Sequence, residues 1–388
     1  MFKPTLTIGW DIGGAHLKAV LLDVTDTEFC CVQLPCPLWR GLQFLEQAII
    51  ETIDLMLAKL APQTNTNGPD KALFSRGLLS KKLLSNANHA ITMTGELVDL
   101  FDNRHQGVCE IAEVASKLLG KNVYFYTTET DNKQSGFASI CDVPRFASAI
   151  ASANWHASAS FLAQHCTNAL LIDIGSTTTD IIPIVNGKVT LQGNSDVARL
   201  SNDALVYTGV VRTPIMALAQ KLPFFDGDKV IEINVMAELF ATTGDVYRLT
   251  GELDSAVDLA DTADGKGKSP RESARRLARM IGYDVDVSLE RWITLAFACK
   301  NLQMQHIKAA ITRHLQPNMV IISAGAGAFL AQQMAADCHL PYQSIASLLK
   351  LKDGAQIEAC LPAFAVAKLL QEDYTSRRVH IDCKIIAR

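Results

Sequence analysis

The stretch Ile8-Gly9-Trp10-Asp11-Ile12-Gly13-Gly14 is a strand-like apolar run that ends in an acidic residue and two glycines. The chain resumes as Leu17-Lys18-Ala19-Val20-Leu21-Leu22. This pattern predicts a β-hairpin with its turn at Gly13 and Gly14, where the missing Cβ lets backbone amides approach a ligand closely. The same core returns in Leu170-Leu171-Ile172-Asp173-Ile174-Gly175-Ser176-Thr177-Thr178-Thr179-Asp180. After it, Ile181-Ile182-Pro183-Ile184-Val185 and Asn186-Gly187-Lys188-Val189 read as strand, tight turn and strand, the organisation of the first copy. The repeat predicts two related α/β halves.

Working outward, residues 41–60 place Leu42, Leu45, Ile49, Ile53, Leu57 and Leu60 at spacings of three and four, an amphipathic helix. Residues 90–97 read as a strand entering a loop, 108–119 as a helix and 122–126 as another strand. Residues 69–85 are irregular, with a basic cluster at Arg76, Lys81 and Lys82 that reads as a solvated face before a phosphate clamp. A third glycine element, Met319-Val320-Ile321-Ile322-Ser323-Ala324-Gly325-Ala326-Gly327-Ala328, is a short strand, a small-residue turn and the start of a helix through Leu330 and Met334. Its helix N-terminus favours an anion or a nucleotide, with tight strand-to-helix packing as the plainer reading.

Composition sets the limits. The 388 residues are 48% hydrophobic and 20% charged, the balance of a packed globular protein of two or three domains. The formal charge of −4 gives no basic footprint for nucleic acid. Residues 146–172 lack charge, but Ser148, Ser152, Asn154, His156, Ser158, Ser160, Gln164 and His165 make them too polar for lipid. They are expected to form a buried helix followed by a strand. No secretory leader precedes the first strand, and ten scattered cysteines form no C-x-x-C pair. A cytoplasmic protein with reduced thiols, no nucleic-acid partner and no membrane partner is the expectation.

An acidic residue at the end of a buried strand, followed by glycine and small hydroxyl residues, suits a phosphate chain and its metal. Backbone amides and hydroxyls donate to phosphate oxygens, while the carboxylate holds Mg²⁺ directly or through water. One such loop can be only a turn. Two in equivalent places favour phosphate binding by Gly13, Gly14, Gly175, Ser176, Thr177 and Thr178, with Asp11 and Asp173 facing the metal.

With its three glycine elements in this order, the chain resembles the superfamily of actin, sugar kinases and heat-shock chaperone ATPases. Within its hydantoinase/oxoprolinase branch, it resembles a compact family linked to tetrahydromethanopterin-dependent one-carbon metabolism. The residues that carry this are Gly9-Trp10-Asp11-Ile12-Gly13-Gly14-Ala15-His16-Leu17-Lys18, Thr92-Met93-Thr94-Gly95-Glu96-Leu97, Val206-Tyr207-Thr208-Gly209-Val210-Val211-Arg212-Thr213-Pro214, residues 237–249 and Thr262-Ala263-Asp264-Gly265-Lys266-Gly267-Lys268. The resemblance implies two ribonuclease-H-like halves around a central cleft, residues 1–167 and 168–388, with a helical insertion over about 201–316 and Asp11 and Asp173 facing each other. It further implies a synthase step of methanofuran biosynthesis, in which a furan-methyl diphosphate and the phenol of γ-glutamyltyramine form an ether with release of pyrophosphate.

Under that resemblance Lys18 reaches a phosphate or is an exposed strand lysine, and His16 covers the turn. Asp180 is a secondary metal or base candidate. Glu96 is a candidate base or a solvated loop carboxylate. Tyr207 and Arg212 flank a glycine turn, Arg212 holding a carboxylate or phosphate by its planar fork or forming a surface ion pair. Asp261, Asp264, Lys266 and Lys268 form a lid over the diphosphate or a solvated connector. Gly325 and Gly327 form the nucleotide-like loop. Mg²⁺ is the expected cofactor, ATP being needed only by the alternative of a small-molecule kinase or ATPase; a non-catalytic nucleotide-binding regulator is the other alternative. A homo-oligomer is compatible with all three.

Overall fold

A computed structural model describes residues 6–22, 29–60, 87–132, 134–191, 193–226, 229–285, 288–351 and 354–386. The basic cluster at Arg76, Lys81 and Lys82 lies outside the described residues. The chain forms two units, Met1–Gln164 with Cys360–Arg388, and His165–Ala359.

In the first unit, β1 (Thr7–Ile12), β2 (His16–Leu22) and β3 (Phe29–Pro35) are followed by α1 (Leu42–Leu60), β4 (Asn88–Met93), α2 (Arg104–Leu119), β5 (Val123–Thr127), β6 (Gly136–Ala138), α3 (Val143–Ile150) and α4 (Asn154–Leu162). The sheet order is β3-β2-β1-β4-β5-β6. β1, β2 and β3 pair antiparallel, while β4 and β5 join them in parallel, which is the ribonuclease-H-like arrangement. β1 is buried along its whole length because helices cover both faces. Leu45 and Ile49 of α1 with Ile111 and Ala115 of α2 pack on one side. Ala157 of α4 packs on the other, together with Val366 and Leu370 from the last helix of the chain.

The second unit begins with β7 (Ala169–Ile174), β8 (Thr179–Val185), β9 (Lys188–Val189), α5 (Asp196–Ser201) and β10 (Leu205–Val206). The β8–β9 turn has positive φ at both Asn186 (53°) and Gly187 (67°), the backbone that a two-residue hairpin requires and Asn-Gly tolerates. Then come α6 (Ile215–Leu218), β11 (Lys221–Asp226), β12 (Lys229–Asn234), α7 (Thr243–Thr250), α8 (Pro270–Arg279) and α9 (Leu289–His314). β13 (Val320–Ala324), α10 (Ala328–Asp337), β14 (Tyr342–Ser344), α11 (Ile345–Leu349) and α12 (Gly354–Ala359) complete it. The sheet order β10-β8-β7-β13-β14 repeats that of the first unit, with β7 in the place of β1 and β13 in the place of β4.

The 26-residue α9 serves two cores. Its first half puts Trp292, Leu295 and Cys299 into the inserted segment, against Phe224, Val246 and Leu277. Its second half lays Met304, Ile307 and Ile311 on the sheet against Leu170 and Ile321. The insertion is less purely helical than its spacing suggests, since β11 and β12 form an antiparallel hairpin within it. The uncharged 146–172 stretch likewise holds the end of α3, all of α4 and part of β7 rather than one helix and a strand. Among the described residues no helix is long and apolar enough to cross a membrane.

The expectation that the second half runs to residue 388 is corrected by the last helix, α13 (Leu361–Ile386), which belongs to the first unit. Gly9 is the reason. It lets the backbone of α13 come down on β1, with the Ala363 carbonyl and the Ala367 methyl occupying the place a side chain would take. Gly9→Ala is therefore expected to lower stability by about 3 kcal/mol, since the obstacle is helix backbone and cannot swing aside. Urea denaturation measures this, and an unchanged midpoint would refute the close approach.

Candidate functional site

Each sheet ends its central strand in the same turn. In the first unit the Gly13 amide donates to the His16 carbonyl at 3.0 Å, closing the β1–β2 hairpin. The carbonyls of Gly14 and Ala15 accept from the amides of Leu38 (3.1 Å) and Cys36 (2.8 Å). The amides of Gly14 and Ala15 themselves donate to no backbone carbonyl among the described residues. From the parallel strand β4, the Thr94 amide donates to the Ile12 carbonyl at 2.9 Å. Gly95 then sits so close that a methyl group on it would stand 3.3 Å from the Gly13 carbonyl group. This gives the Thr92-Met93-Thr94-Gly95-Glu96-Leu97 motif its place, as the wall of the first turn.

In the second unit the Gly175 amide donates to the Thr178 carbonyl at 2.8 Å. The Gly175 carbonyl accepts from Val210 (3.0 Å), and the Ser176 carbonyl from Val211 (3.1 Å) and Arg212 (2.8 Å). No amide of Ser176, Thr177 or Thr178 donates to a backbone carbonyl among the described residues. On the β13 side the Gly327 amide donates to the Ile174 carbonyl at 2.8 Å, the counterpart of the Thr94 bond. Gly325, with φ of 80°, lies against the Asp173 carboxylate and the Ile174 carbonyl, where any side chain would collide. Gly325 and Gly327 are thus placed as the wall of the second turn. Turns whose carbonyls are engaged and whose consecutive amides are not form anion-binding concavities.

The flanking charges differ between the units. Asp11 is buried and stands opposite Lys18 across β1 and β2, on one face of the sheet. At the equivalent position Asp173 stands opposite Asp180. Two carboxylates there would repel, but the buried Arg199 guanidinium binds Asp180 and also pairs with Asp196 at 2.7 Å. Asp180, expected as a secondary metal or base candidate, thus has one carboxylate oxygen engaged by Arg199. Among the described residues no three His, Cys, Asp or Glu side chains converge as a metal cage. Mg²⁺ needs no such cage, because it binds through one or two carboxylates plus water and substrate phosphates, and a strand-end carboxylate beside donor amides fits that chemistry.

Glu96 is neither solvated nor at a loop surface. It is 1% exposed, and the Ser152 hydroxyl donates to its carboxylate at 2.7 Å. Tyr207 and Arg212 are exposed, Tyr207 by 66%, at the two ends of the segment that holds the second turn. Ser152 carries no signal of its own in the sequence, whereas Thr94 and Gly209 stand within the motifs already quoted. A methyl on Gly209 would stand 2.5 Å from the Thr177 amide nitrogen, so only glycine fits beneath that turn.

Residues 254–269 form a clasped loop. The buried Arg276 donates to Asp245 (2.7 Å), Asp264 (2.9 Å) and the Gly267 carbonyl (3.1 Å). Arg248 forks onto Asp258 at 2.6 and 2.7 Å, and Lys268 lies 3.3 Å from the same carboxylate. Burial alone would raise both carboxyls. At Asp258 the Arg248 and Lys268 cations outweigh it, and at Asp264 the Lys266 amide and the Arg276 guanidinium do, leaving both below the usual carboxylate range. Asp264 thus faces inward to Arg276, while Asp261, Lys266 and Lys268 are exposed.

Comparison with known proteins gives one family, described as hydantoinase/oxoprolinase, which matches residues 88–370. A sequence relative from Methanocaldococcus jannaschii, named (4-{4-[2-(γ-L-glutamylamino)ethyl]phenoxymethyl}furan-2-yl)methanamine synthase, is 27% identical over 373 residues, covering 95% of this chain and 98% of that protein. A relative of the same name from Methanococcus vannielii is 30% identical over 225 residues, 56% of this chain and 98% of its own length. Among solved structures, nucleotide-free acetone carboxylase is similar with a TM-score of 0.47 at 12% identity, over 94% of this chain and 70% of that one. A ROK family glucokinase from Streptomyces griseus, in complex with glucose and AMPPNP, has a TM-score of 0.40 at 13% identity, over 94% and 98%.

The clasp makes the 254–269 loop sensitive to acid. Because folding depresses both carboxyls, their stabilisation is complete above the unfolded value of about 4 and is lost as pH falls through the folded values. Limited proteolysis of this segment should stay slow from neutral pH down to about pH 4 and accelerate below it. Asp258→Asn should speed cleavage at neutral pH and flatten the acid response; cleavage like that of the wild type would show that the ion pairs do not hold the loop.

Proposed function

Since this chain belongs to the hydantoinase/oxoprolinase family, we propose that it is a (4-{4-[2-(γ-L-glutamylamino)ethyl]phenoxymethyl}furan-2-yl)methanamine synthase, a transferase that makes an aryl ether for methanofuran biosynthesis. The observation that carries this reading is the M. jannaschii relative of that name, whose shared length spans nearly all of both chains. The two turns supply the supporting chemistry. The substrates are a furan-methyl diphosphate and γ-glutamyltyramine. The bond between the furylmethyl carbon and the diphosphate oxygen breaks, the phenol oxygen bonds to that carbon, and pyrophosphate and the phenolic proton leave.

The difficult part is the separation of charge. Positive charge on the furylmethyl carbon is delocalised by the ring, and the growing negative charge on pyrophosphate needs donors that are already oriented. In this reading the amides of Gly14, Ala15, Ser176, Thr177 and Thr178 and the hydroxyls of Ser176, Thr177 and Thr178 donate to phosphate oxygens, and Lys18 adds a cation. Mg²⁺, for which Asp11 in the first unit and Asp173 in the second are each a carboxylate candidate, would supply further neutralisation of the leaving group. Tyr207 and Arg212 remain the proposed substrate contacts, Arg212 through a planar fork suited to the γ-glutamyl carboxylate, whereas Asp264, expected as a third, is engaged by Arg276 in the clasp. Glu96, buried and held by Ser152, supports the Gly95 wall rather than serving as the base. The phenol, with an ordinary pKa of about 10, still needs a proton acceptor as it attacks.

With Mg²⁺ and both substrates, ether and pyrophosphate should form in equal amounts without ATP. Asp11→Asn and Asp173→Asn should each lower turnover ~10²-fold, with circular dichroism unchanged. If ADP accumulates with a phosphorylated small molecule and no ether forms, a kinase takes the place of the synthase.

A further inference from the structure

Beneath the second turn lies Gly209, both of whose backbone polar groups are bonded to side chains. Its amide donates to the Thr213 hydroxyl at 2.8 Å. Its carbonyl accepts from the Thr243 hydroxyl at 2.8 Å and from the Gln303 side-chain amide at 2.8 Å. The Gln303 amide also donates to the Thr208 hydroxyl at 2.9 Å, and the Thr208 carbonyl in turn accepts from Thr179 at 2.7 Å. Tyr247 donates to the Gln303 side-chain oxygen at 2.5 Å. That bond fixes the orientation of Gln303, since turning the amide round would set its oxygen against the Gly209 carbonyl, acceptor against acceptor.

Gln303 is fully buried in α9, between Cys299 of the insertion core and Met304 of the sheet core. An apolar side chain of similar volume would fill that place without the cost of desolvating an amide. All three of its side-chain partners lie on the 208–209 segment or on Tyr247, none on α9 itself. Above this network, Gly209 lies so close to the turn that a methyl on it would stand 2.5 Å from the Ser176 carbonyl carbon and the Thr177 nitrogen, in the part of the turn whose amides have no backbone acceptor among the described residues. A shift of a few tenths of an ångström in Gly209 therefore moves those amides.

We propose that Gln303 is a positioning residue for the 175–178 turn, fixing through Gly209 the amides that receive the leaving diphosphate; this rests on the synthase reading of that turn. Binding depends on the aim of several donors at once, so the loss of Gln303 weakens phosphate binding while the fold survives. Gln303→Leu keeps the volume and removes the donors. Gln303→Glu keeps the acceptor for Tyr247 but has no amide for Gly209.

The test is calorimetric titration of the full chain with pyrophosphate and Mg²⁺, alongside steady-state kinetics. Both variants should bind pyrophosphate ~10-fold more weakly, with KM for the phenol acceptor unchanged. Ile307→Val, in the sheet core of the same helix, should lower the denaturation midpoint without moving pyrophosphate affinity. Affinity of the wild-type value in Gln303→Leu overturns the positioning role. If the wild type itself binds no pyrophosphate, the synthase reading fails, and amide hydrogen exchange then decides the positioning role. Faster exchange confined to 175–178 and 209–212 in Gln303→Leu upholds it, and unchanged exchange there overturns it.

Discussion

A glycine amide donating three residues ahead, Gly13 to His16 and Gly175 to Thr178, is the bond on which each unit depends. It turns the chain back at the end of a fully paired central strand, and the amides that follow donate to no backbone carbonyl among the described residues. The carbonyls in such a turn still need donors, because buried backbone polar groups are rarely left unpaired. The first unit supplies them from the segment after β3, through Cys36 and Leu38, and the second from the segment after β10, through Val210, Val211 and Arg212. Both segments follow the third antiparallel position of their sheet. The supporting loop and the turn it supports are consequences of one topology.

The two turns are not chemically equal. The first lacks hydroxyls and has a lysine across the sheet from its aspartate, whereas the second carries three hydroxyls and a carboxylate neutralised by a buried arginine. Lys18 and Asp180 occupy the same place in the two hairpins. One turn sets a lysine beside its carboxylate, and the other brings uncharged hydroxyl donors in greater number.

Much of this was legible in the sequence because strand-end chemistry is local. Asp-Ile-Gly at the end of an apolar run identifies a turn whatever surrounds it, and the 3–4 spacing of α1 identifies a helix. What stayed hidden depends on distant partners. The Arg199 partner of Asp180 is far from it in the chain, and Glu96 looks like a loop carboxylate until Ser152 and the burial around it are known. Gln303 reads as an ordinary polar residue within a long helical stretch, since nothing in its neighbours announces that two cores meet there. The destination of α13 was equally silent. Its apolar residues suit either sheet, and the one clue, Gly9 in the middle of a buried strand, is read as permissive before it is read as a contact.

That docking of α13 sets an order of events during synthesis. The first unit needs the start of α13, with Ala363, Val366 and Leu370, to complete the cover of one face of its sheet, yet His165–Ala359 lie between and form a unit of their own. On the ribosome, where domains form as they emerge, the second unit is complete before the first can close. Until then the N-terminal sheet waits with an apolar face covered only in part, by α4, and this is the interval in which a chaperone has most to protect.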